Sequence, residues 1–336
     1  MKYPNGYISI IGAGAWGTTL AILLGNKGYD VTIWGHEQDV VDSINSTGTN
    51  HVYLPDITIP HYIHATTDIE EAVKNARYII NVVPTQFIRD IFTKACPFIN
   101  DYAYIVSASK GIEKGTHLLP SMILEEILDK PVSVLSGPSF AIEVARQYPT
   151  AVTLGVRDRK VGLIIQELFN TDYFRVYTHD DIVGIEIGGA MKNVIAIASG
   201  ICAGLQLGNN ARAALITRGL SEITRLGLSM GAKPNTFSGL SGLGDLLLTC
   251  TAMMSRNYTV GYRLGKGESL KEIVSSTRSV AEGVTTTLSA YELANIHKIE
   301  MPITEQVYYT LYQDKPPTNA LKDLMARSLK AEFDAY

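Results

Sequence analysis

Lys192 is the residue with most to offer chemically. It lies in the run Gly188-Gly189-Ala190-Met191-Lys192-Asn193-Val194. Its neighbours within one helical turn are small or apolar, so the helix that carries it is expected to be buried. A buried amine is costly unless paired, and desolvation lowers its pKa. That makes it a usable general base near neutral pH. The alternative is a structural lysine held by a buried carboxylate. Ser241-Gly242-Leu243-Gly244-Asp245, followed by Thr249, supplies a carboxylate in a glycine-rich turn. Asp245 is able to orient Lys192 or to accept a hydrogen bond from a substrate. A few residues on comes Ser255-Arg256-Asn257. Arginine offers a planar fork of donors that suits a phosphate, and serine and asparagine can complete the cradle. Taken alone, Arg256 reads equally well as a surface arginine.

The start of the chain carries a different signal. Gly12-x-Gly14-x-x-Gly17 follows the run Ile8-Ser9-Ile10-Ile11 and opens a helix expected over Trp16–Asn26. In that setting the first glycine makes a tight turn, the second lets the backbone approach a pyrophosphate, and the third lets helix and strand pack closely. A dinucleotide site is expected here; the alternative is a glycine-rich turn without ligand. The second strand ends Ile33-Trp34-Gly35-His36-Glu37. His36 takes the place where an NAD-specific site carries a carboxylate, which favours tolerance of NADP; the alternative is a solvated loop histidine. Ser107-Ala108-Ser109-Lys110-Gly111 closes another strand. Groups outside the carboxyl ends of strands face the ligand in open α/β sheets, so Lys110 is expected to face nicotinamide or substrate. Ser136-Gly137-Pro138-Ser139-Phe140-Ala141 also sits at a strand end, where Ser139 is able to cap a helix or bind substrate. His61-x-x-His64 lacks a nearby acidic third ligand, and no metal site is expected.

These residues need elements to position them. Short β-branched runs predict strands over Tyr7–Ile11, Asp30–Trp34, Tyr62–Ala65, Tyr78–Val83, Ala103–Ala108, Val132–Leu135, Ala151–Leu154 and Phe174–Tyr177. Helical patterns fall between most of them, which implies a mostly parallel sheet covered on both faces. After about Asp181 the strands stop. Apolar residues recur at helical spacing over Glu186–Leu205, Ala211–Leu226, Leu270–Ser276, Thr285–Asn295 and Ile303–Leu311, with a last helix over Leu321–Tyr336. Residues 1–182 are thus expected to form a dinucleotide-binding domain. Residues 183–336 are expected to form an all-helical substrate and catalytic domain whose helices close on small residues. The 336-residue length fits two cores, and 46% hydrophobic with 18% charged residues is a globular composition. The net charge of −4 lacks the basic surplus of a nucleic-acid binder. Cys96, Cys202 and Cys250 are scattered, as in a reducing compartment. No leader is evident in MKYPNGYISIIG, and the longest apolar run, Val194–Leu205, is shorter than a membrane span. A soluble cytoplasmic protein is expected, with no nucleic-acid partner and no stable membrane insertion.

The chain resembles the bacterial NAD(P)-dependent glycerol-3-phosphate dehydrogenases over nearly its whole length. The matching strings are GAGAWGT, SASKGIE, SGPSFAIEVA, EIGGAMKNVIAIASGI, NNARAALITRGLSEI, GLSGLGDLLLTCT, SRNYTVG and SVAEGVTT, in the family's order. The resemblance implies an α/β Rossmann-like N-terminal domain and an all-helical C-terminal domain like those of the 6-phosphogluconate dehydrogenase superfamily. It implies NADP or NAD as cofactor and reversible reduction of dihydroxyacetone phosphate to sn-glycerol 3-phosphate, which feeds glycerophospholipid synthesis. It leaves room for a homodimer. Carried over residue by residue, Lys192 resembles the proton acceptor, with Lys110 and Asp245 assisting. Lys110, Gly137, Ser139, Lys192, Asp245, Ser255, Arg256 and Asn257 resemble substrate contacts. Gly12, Gly14, Ala15, Trp16, Gly17, His36, Lys110, Ala141, Arg256, Val280 and Glu282 resemble cofactor contacts. Two departures stand out: Ala15 where the family often has serine, and Tyr258 where another arginine is usual. The competing expectations are a relative in the superfamily acting on a β-hydroxyacid and a non-catalytic NADP-binding regulator. The first needs a carboxylate clamp in place of a phosphate clamp, and the second has no need of Lys192, Asp245 and Arg256 together.

Overall fold

A computed structural model describes residues 7–278, 280–329 and 331–332. The first half holds β1 (Tyr7–Ile11), α1 (Ala15–Asn26), β2 (Asp30–Trp34), α2 (Gln38–Thr47), β3 (Thr49–Asn50), β4 (Leu54–Thr58), β5 (Ile63–Thr66), α3 (Ile69–Val73), β6 (Tyr78–Asn81), α4 (Ile88–Ala95) and β7 (Tyr104–Ser107). It continues through α5 (Pro120–Leu128), β8 (Val132–Ser136), α6 (Ala141–Ala145), β9 (Thr150–Gly155), α7 (Arg159–Phe169) and β10 (Phe174–His179). The second half is helical: α8 (Ile182–Gly204), α9 (Gly208–Ser229), α10 (Asp245–Thr251), α11 (Arg256–Gly265), α12 (Leu270–Ser275), α13 (Glu282–His297), α14 (Pro302–Tyr312) and α15 (Pro317–Met325).

Eight strands form one sheet in the order β10-β9-β8-β7-β6-β1-β2-β5. Every pair in it is parallel except β8 with β9. Helices cover both faces, so its strands need no polar side. Ile10, Ile80 and Val106 pack into one apolar cluster, and Ile11, Ile79 and Ile105 into another on the opposite face. From β1 the chain winds to β2 and β5, then returns to β6 on the other flank. This reversal opens a crevice at the carboxyl ends of β1 and β6, where such sheets bind ligands.

The helical half is built around α8, which is buried on nearly all sides. Glycines let α11 lie against its backbone: a Cβ on Gly261 would stand 1.9 Å from Ile197 O, and one on Gly200 would stand 2.0 Å from Tyr258 O. The expectation of close packing at small residues is met here.

All eight expected sheet strands are present within two residues at each end. Four features differ. The β3–β4 hairpin is short and polar and gave no alternation to detect. Helices α10 and α11 were not anticipated: α10 is only seven residues long, and in α11 Gly261 and polar residues interrupt the apolar spacing. The last helix begins at Pro317 and ends at Met325, not over Leu321–Tyr336: Pro317 fits the first helical position, and Ala326 ends it. Residues 330 and 333–336 of the expected helix lie outside those described. Finally, α8 has 23 residues and is long and apolar enough to cross a membrane, which the shorter run read from sequence did not indicate. In this fold 89% of its most apolar window is buried inside the protein.

Candidate active site

Lys192 sits on the face of α8 that looks toward the sheet's carboxyl edge, and it is 7% exposed. Its Nζ donates to Asp245 Oδ1 at 2.6 Å and to Thr249 Oγ1 at 3.0 Å. Asp245 is the first residue of α10 and is fully buried, just after the single π-helical turn Leu240–Gly244. The two readings of Lys192 therefore meet in one geometry, since the lysine is both buried and paired. The other carboxylate oxygen is taken as well. Lys110 Nζ donates to Asp245 Oδ2 at 2.6 Å and to Gly137 O at 3.2 Å. One buried carboxylate thus joins two ammonium groups that lie 82 residues apart in sequence. Burial pulls the Lys192 amine down to about 8, against the opposing pull of the Asp245 carboxylate, and the Lys110 charge adds to the lowering.

Local sequence makes this convergence possible. A Cβ on Gly188 would stand 2.5 Å from Ser241 O, and one on Gly189 would meet Ser136 Oγ at 2.9 Å and the Lys110 stem at 3.5 Å. The glycine pair one turn before Lys192 therefore lets both the Asp245 turn and Lys110 reach α8. Lys110 is set from the sheet. Asn81, buried at the end of β6, donates to Ser109 Oγ at 3.0 Å, and Ser109 Oγ donates to Val83 O at 2.6 Å. Asn81 was missed in the sequence; a lone amide ending the apolar run Ile79-Ile80 was its only signal.

Gly137 adopts a φ of +151°, and a side chain there would meet Val152 Cα at 2.9 Å. Ser139 does not cap α6, whose cap position is Phe140; its hydroxyl turns back and donates to Gly137 O at 3.1 Å. Ser255 caps α11, accepting from Tyr258 N at 3.2 Å. Arg256 opens that helix, is exposed, and donates to Val280 O at 3.2 Å. Asn257 is buried and accepts from Gly283 N at 2.9 Å. Next to it, Glu282 accepts from Thr85 N at 3.0 Å across the two halves, and burial raises its carboxyl above the usual range. Tyr258 is 4% exposed in the apolar cluster around α8, so it is a core residue and supplies no second cation.

The glycine loop fits a dinucleotide. Gly12 has a φ of +125°, and a Cβ on it would lie 2.9 Å from Val82 O. A Cβ on Gly17 would lie 1.9 Å from Gly12 O, which is the close strand–helix packing expected. Beside Gly14 the space is open to 4 Å. Gly14 caps α1 with no side chain to occupy the helix N-terminus, leaving backbone N–H groups for an anion. Ala15 and Trp16 form the first turn, and Ala141 O accepts from Thr19 Oγ1 at 3.1 Å beside them. His36 is exposed at the end of β2, while Glu37 accepts from Tyr53 O–H at 2.7 Å. His61 stacks edge-on with Tyr62, and His64 approaches Glu71 at 3.7 Å. Among the described residues no group of three His, Cys, Asp or Glu side chains is placed to hold a metal.

Known proteins resemble this chain in sequence and in fold. A family model described as NAD-dependent glycerol-3-phosphate dehydrogenase N-terminus matches residues 7–162, and one described as NAD-dependent glycerol-3-phosphate dehydrogenase C-terminus matches residues 181–322. The glycerol-3-phosphate dehydrogenase (NAD(P)+) of Geobacter sp. (strain M21) is 52% identical over 97% of this chain and 98% of that protein. Its counterpart in Geobacter sulfurreducens is 50% identical over the same shares. The crystal structure of glycerol-3-phosphate dehydrogenase from Coxiella burnetii superposes with a TM-score of 0.93 at 41% identity, covering 96% of this chain and 99% of that one. With both halves matched and relatives aligned end to end, the chain belongs to the NAD-dependent glycerol-3-phosphate dehydrogenase family.

Proposed function

We propose that Lys192 is the proton-transfer residue of a glycerol-3-phosphate dehydrogenase. The observation that carries this reading is the Asp245 carboxylate held between Lys192 and Lys110. The enzyme catalyses the reversible NAD(P)H-dependent reduction of dihydroxyacetone phosphate to sn-glycerol 3-phosphate, a precursor of glycerophospholipids. The bound nicotinamide supplies or accepts the hydride at substrate C2. Lys192 as ammonium donates the proton to the nascent C2 alkoxide in reduction; as a neutral amine it takes that proton back in oxidation. Lys110 polarises the carbonyl, and Asp245 holds both lysines in register. Ser255, Arg256 and Asn257 bind the substrate phosphate, with Gly137 and Ser139 lining the same pocket, and a fixed phosphate orients C2 for transfer. Gly12, Gly14, Ala15, Trp16 and Gly17 bind the pyrophosphate, His36 reads the ribose, and Ala141, Val280 and Glu282 close on the cofactor. Residues 1–182 act as the dinucleotide domain and 183–336 as the catalytic one. The protein works in the cytoplasm, as a homodimer.

The deciding experiment follows oxidation of NADH and of NADPH, in parallel, with dihydroxyacetone phosphate, for wild type and for Lys192→Ala. Turnover in the wild type and its loss in the variant is the expected result. Near-normal turnover in the variant removes Lys192 from the proton-transfer role. Sedimentation of the purified protein tests the dimer.

A further inference from the structure

Between α2 and β5 the chain leaves the sheet for the β3–β4 hairpin, an excursion the parallel sheet itself does not require. Asn50 in this hairpin is fully buried and places its polar atoms on the glycine loop and on the hairpin turn. Its Nδ2 donates to Ala13 O and to Thr18 Oγ1, both at 2.8 Å, and its Oδ1 accepts from Tyr53 N at 3.0 Å. Ala13 is the middle residue of Gly12-Ala13-Gly14. Thr18 belongs to the start of α1, where its N–H donates to Gly14 O at 3.0 Å.

The described peptide bonds are all trans, and in a trans peptide the C=O and N–H point in opposite directions. Holding Ala13 C=O inward on Asn50 therefore turns the N–H of Gly14 outward, away from the hairpin. Among the described residues that N–H donates to no backbone group, and the space beside the Gly14 Cα is open. Outward loop N–H groups at a helix start are what a pyrophosphate binds.

We propose that Asn50 is a positioning residue for the dinucleotide, locking the Ala13–Gly14 peptide so that Gly14 N–H faces the pyrophosphate. The proposal rests on the reading of Gly12 to Gly17 as the dinucleotide loop. If Asn50 only stapled the hairpin, its loss would lower stability and leave cofactor affinity alone.

The test titrates NADPH, by its fluorescence, into wild type, Asn50→Ser, Asn50→Asp and Thr18→Val. Melting of the cofactor-free protein and both KM values are measured alongside. Asn50→Asp keeps the shape and the acceptor for Tyr53 but sets an oxygen against the Ala13 carbonyl, so it decides the matter should Asn50→Ser fail to fold. Both Asn50 variants are expected to weaken NADPH about tenfold, equivalent to about 1.4 kcal/mol, and to raise the KM for NADPH in proportion. The KM for dihydroxyacetone phosphate and kcat at saturating NADPH should stay within about twofold. Thr18→Val keeps the bond to Ala13 and should bind NADPH as wild type does. Affinity within about twofold of wild type in a folded Asn50 variant, or an equal loss in Thr18→Val, overturns the proposal. A wild-type protein that binds neither NADPH nor NADH overturns the dinucleotide reading instead.

Discussion

Replacing Asp245 by Asn should move the proton chemistry of Lys192 more than it moves the fold. The carboxylate bridges two ammonium groups, each 2.6 Å from one of its oxygens. At an effective dielectric constant of about 20, one such contact is worth roughly 6 kcal/mol of attraction. Breaking a buried pair by removing one partner costs about 3–5 kcal/mol in practice. The lower figure, taken up by deprotonation, corresponds to roughly two pKa units. Lys192 would then fall from about 8 to about 6 or below. At a pH of about 7.5 its ammonium fraction would drop roughly 20-fold, and reduction, which needs the ammonium, would slow at least as much. The sign differs between directions. In wild type, reduction declines and oxidation rises as pH passes through about 8. In Asp245→Asn both limbs move to lower pH together. The assay is kcat/KM against pH for dihydroxyacetone phosphate and for glycerol 3-phosphate, with NADPH affinity and melting temperature as controls. A folded variant whose reduction limb stays near the wild-type position would refute the reasoning.

Three further outcomes are expected. Lys192→Ala should lose about 100-fold or more in kcat, as the loss of an acid–base group does, while NADPH binding measured by fluorescence stays near normal. His36→Asp should shift the ratio of NADPH to NADH efficiency toward NADH by repelling the 2′-phosphate, and an unchanged ratio would show that this loop does not read the ribose. Arg256→Lys keeps the charge but loses the planar fork, so activity should fall with dihydroxyacetone phosphate and much less with unphosphorylated dihydroxyacetone. Because Arg256 also donates to Val280 O, cofactor binding is titrated separately in that variant; equal losses on both substrates would make the phosphate assignment wrong.

The sheet was legible because strands buried on both faces leave dense β-branched runs, and the glycine loop because Gly12 and Gly17 answer separate steric demands while Gly14 leaves the helix start open. Lys192 stood out as a charge in an apolar helix. What spacing alone does not reveal is the bridge from Lys110 to Asp245, 135 residues apart, since it depends on how two halves close on each other. Ser139 shows the limit of local rules. A serine at a strand end reads as a cap, yet the chain starts its helix later and the hydroxyl bonds backward to Gly137. Asn50 was invisible for the opposite reason, because a two-residue strand carries no periodic signal, and its value comes only from the Ala13 carbonyl that it meets.

The length of α8 has a consequence during synthesis. Its most apolar stretch has a mean hydropathy of 1.4, and its 23 residues match the thickness of a bilayer core. Until the later helices have emerged and closed around it, this segment is exposed to the cell's insertion machinery, which sorts chains by the transfer energy of each helix. A lysine near the centre of such a segment raises the insertion cost by about 2.5–3.5 kcal/mol. The amine proposed to carry the proton in the finished enzyme thus also biases the unfinished chain toward the aqueous side.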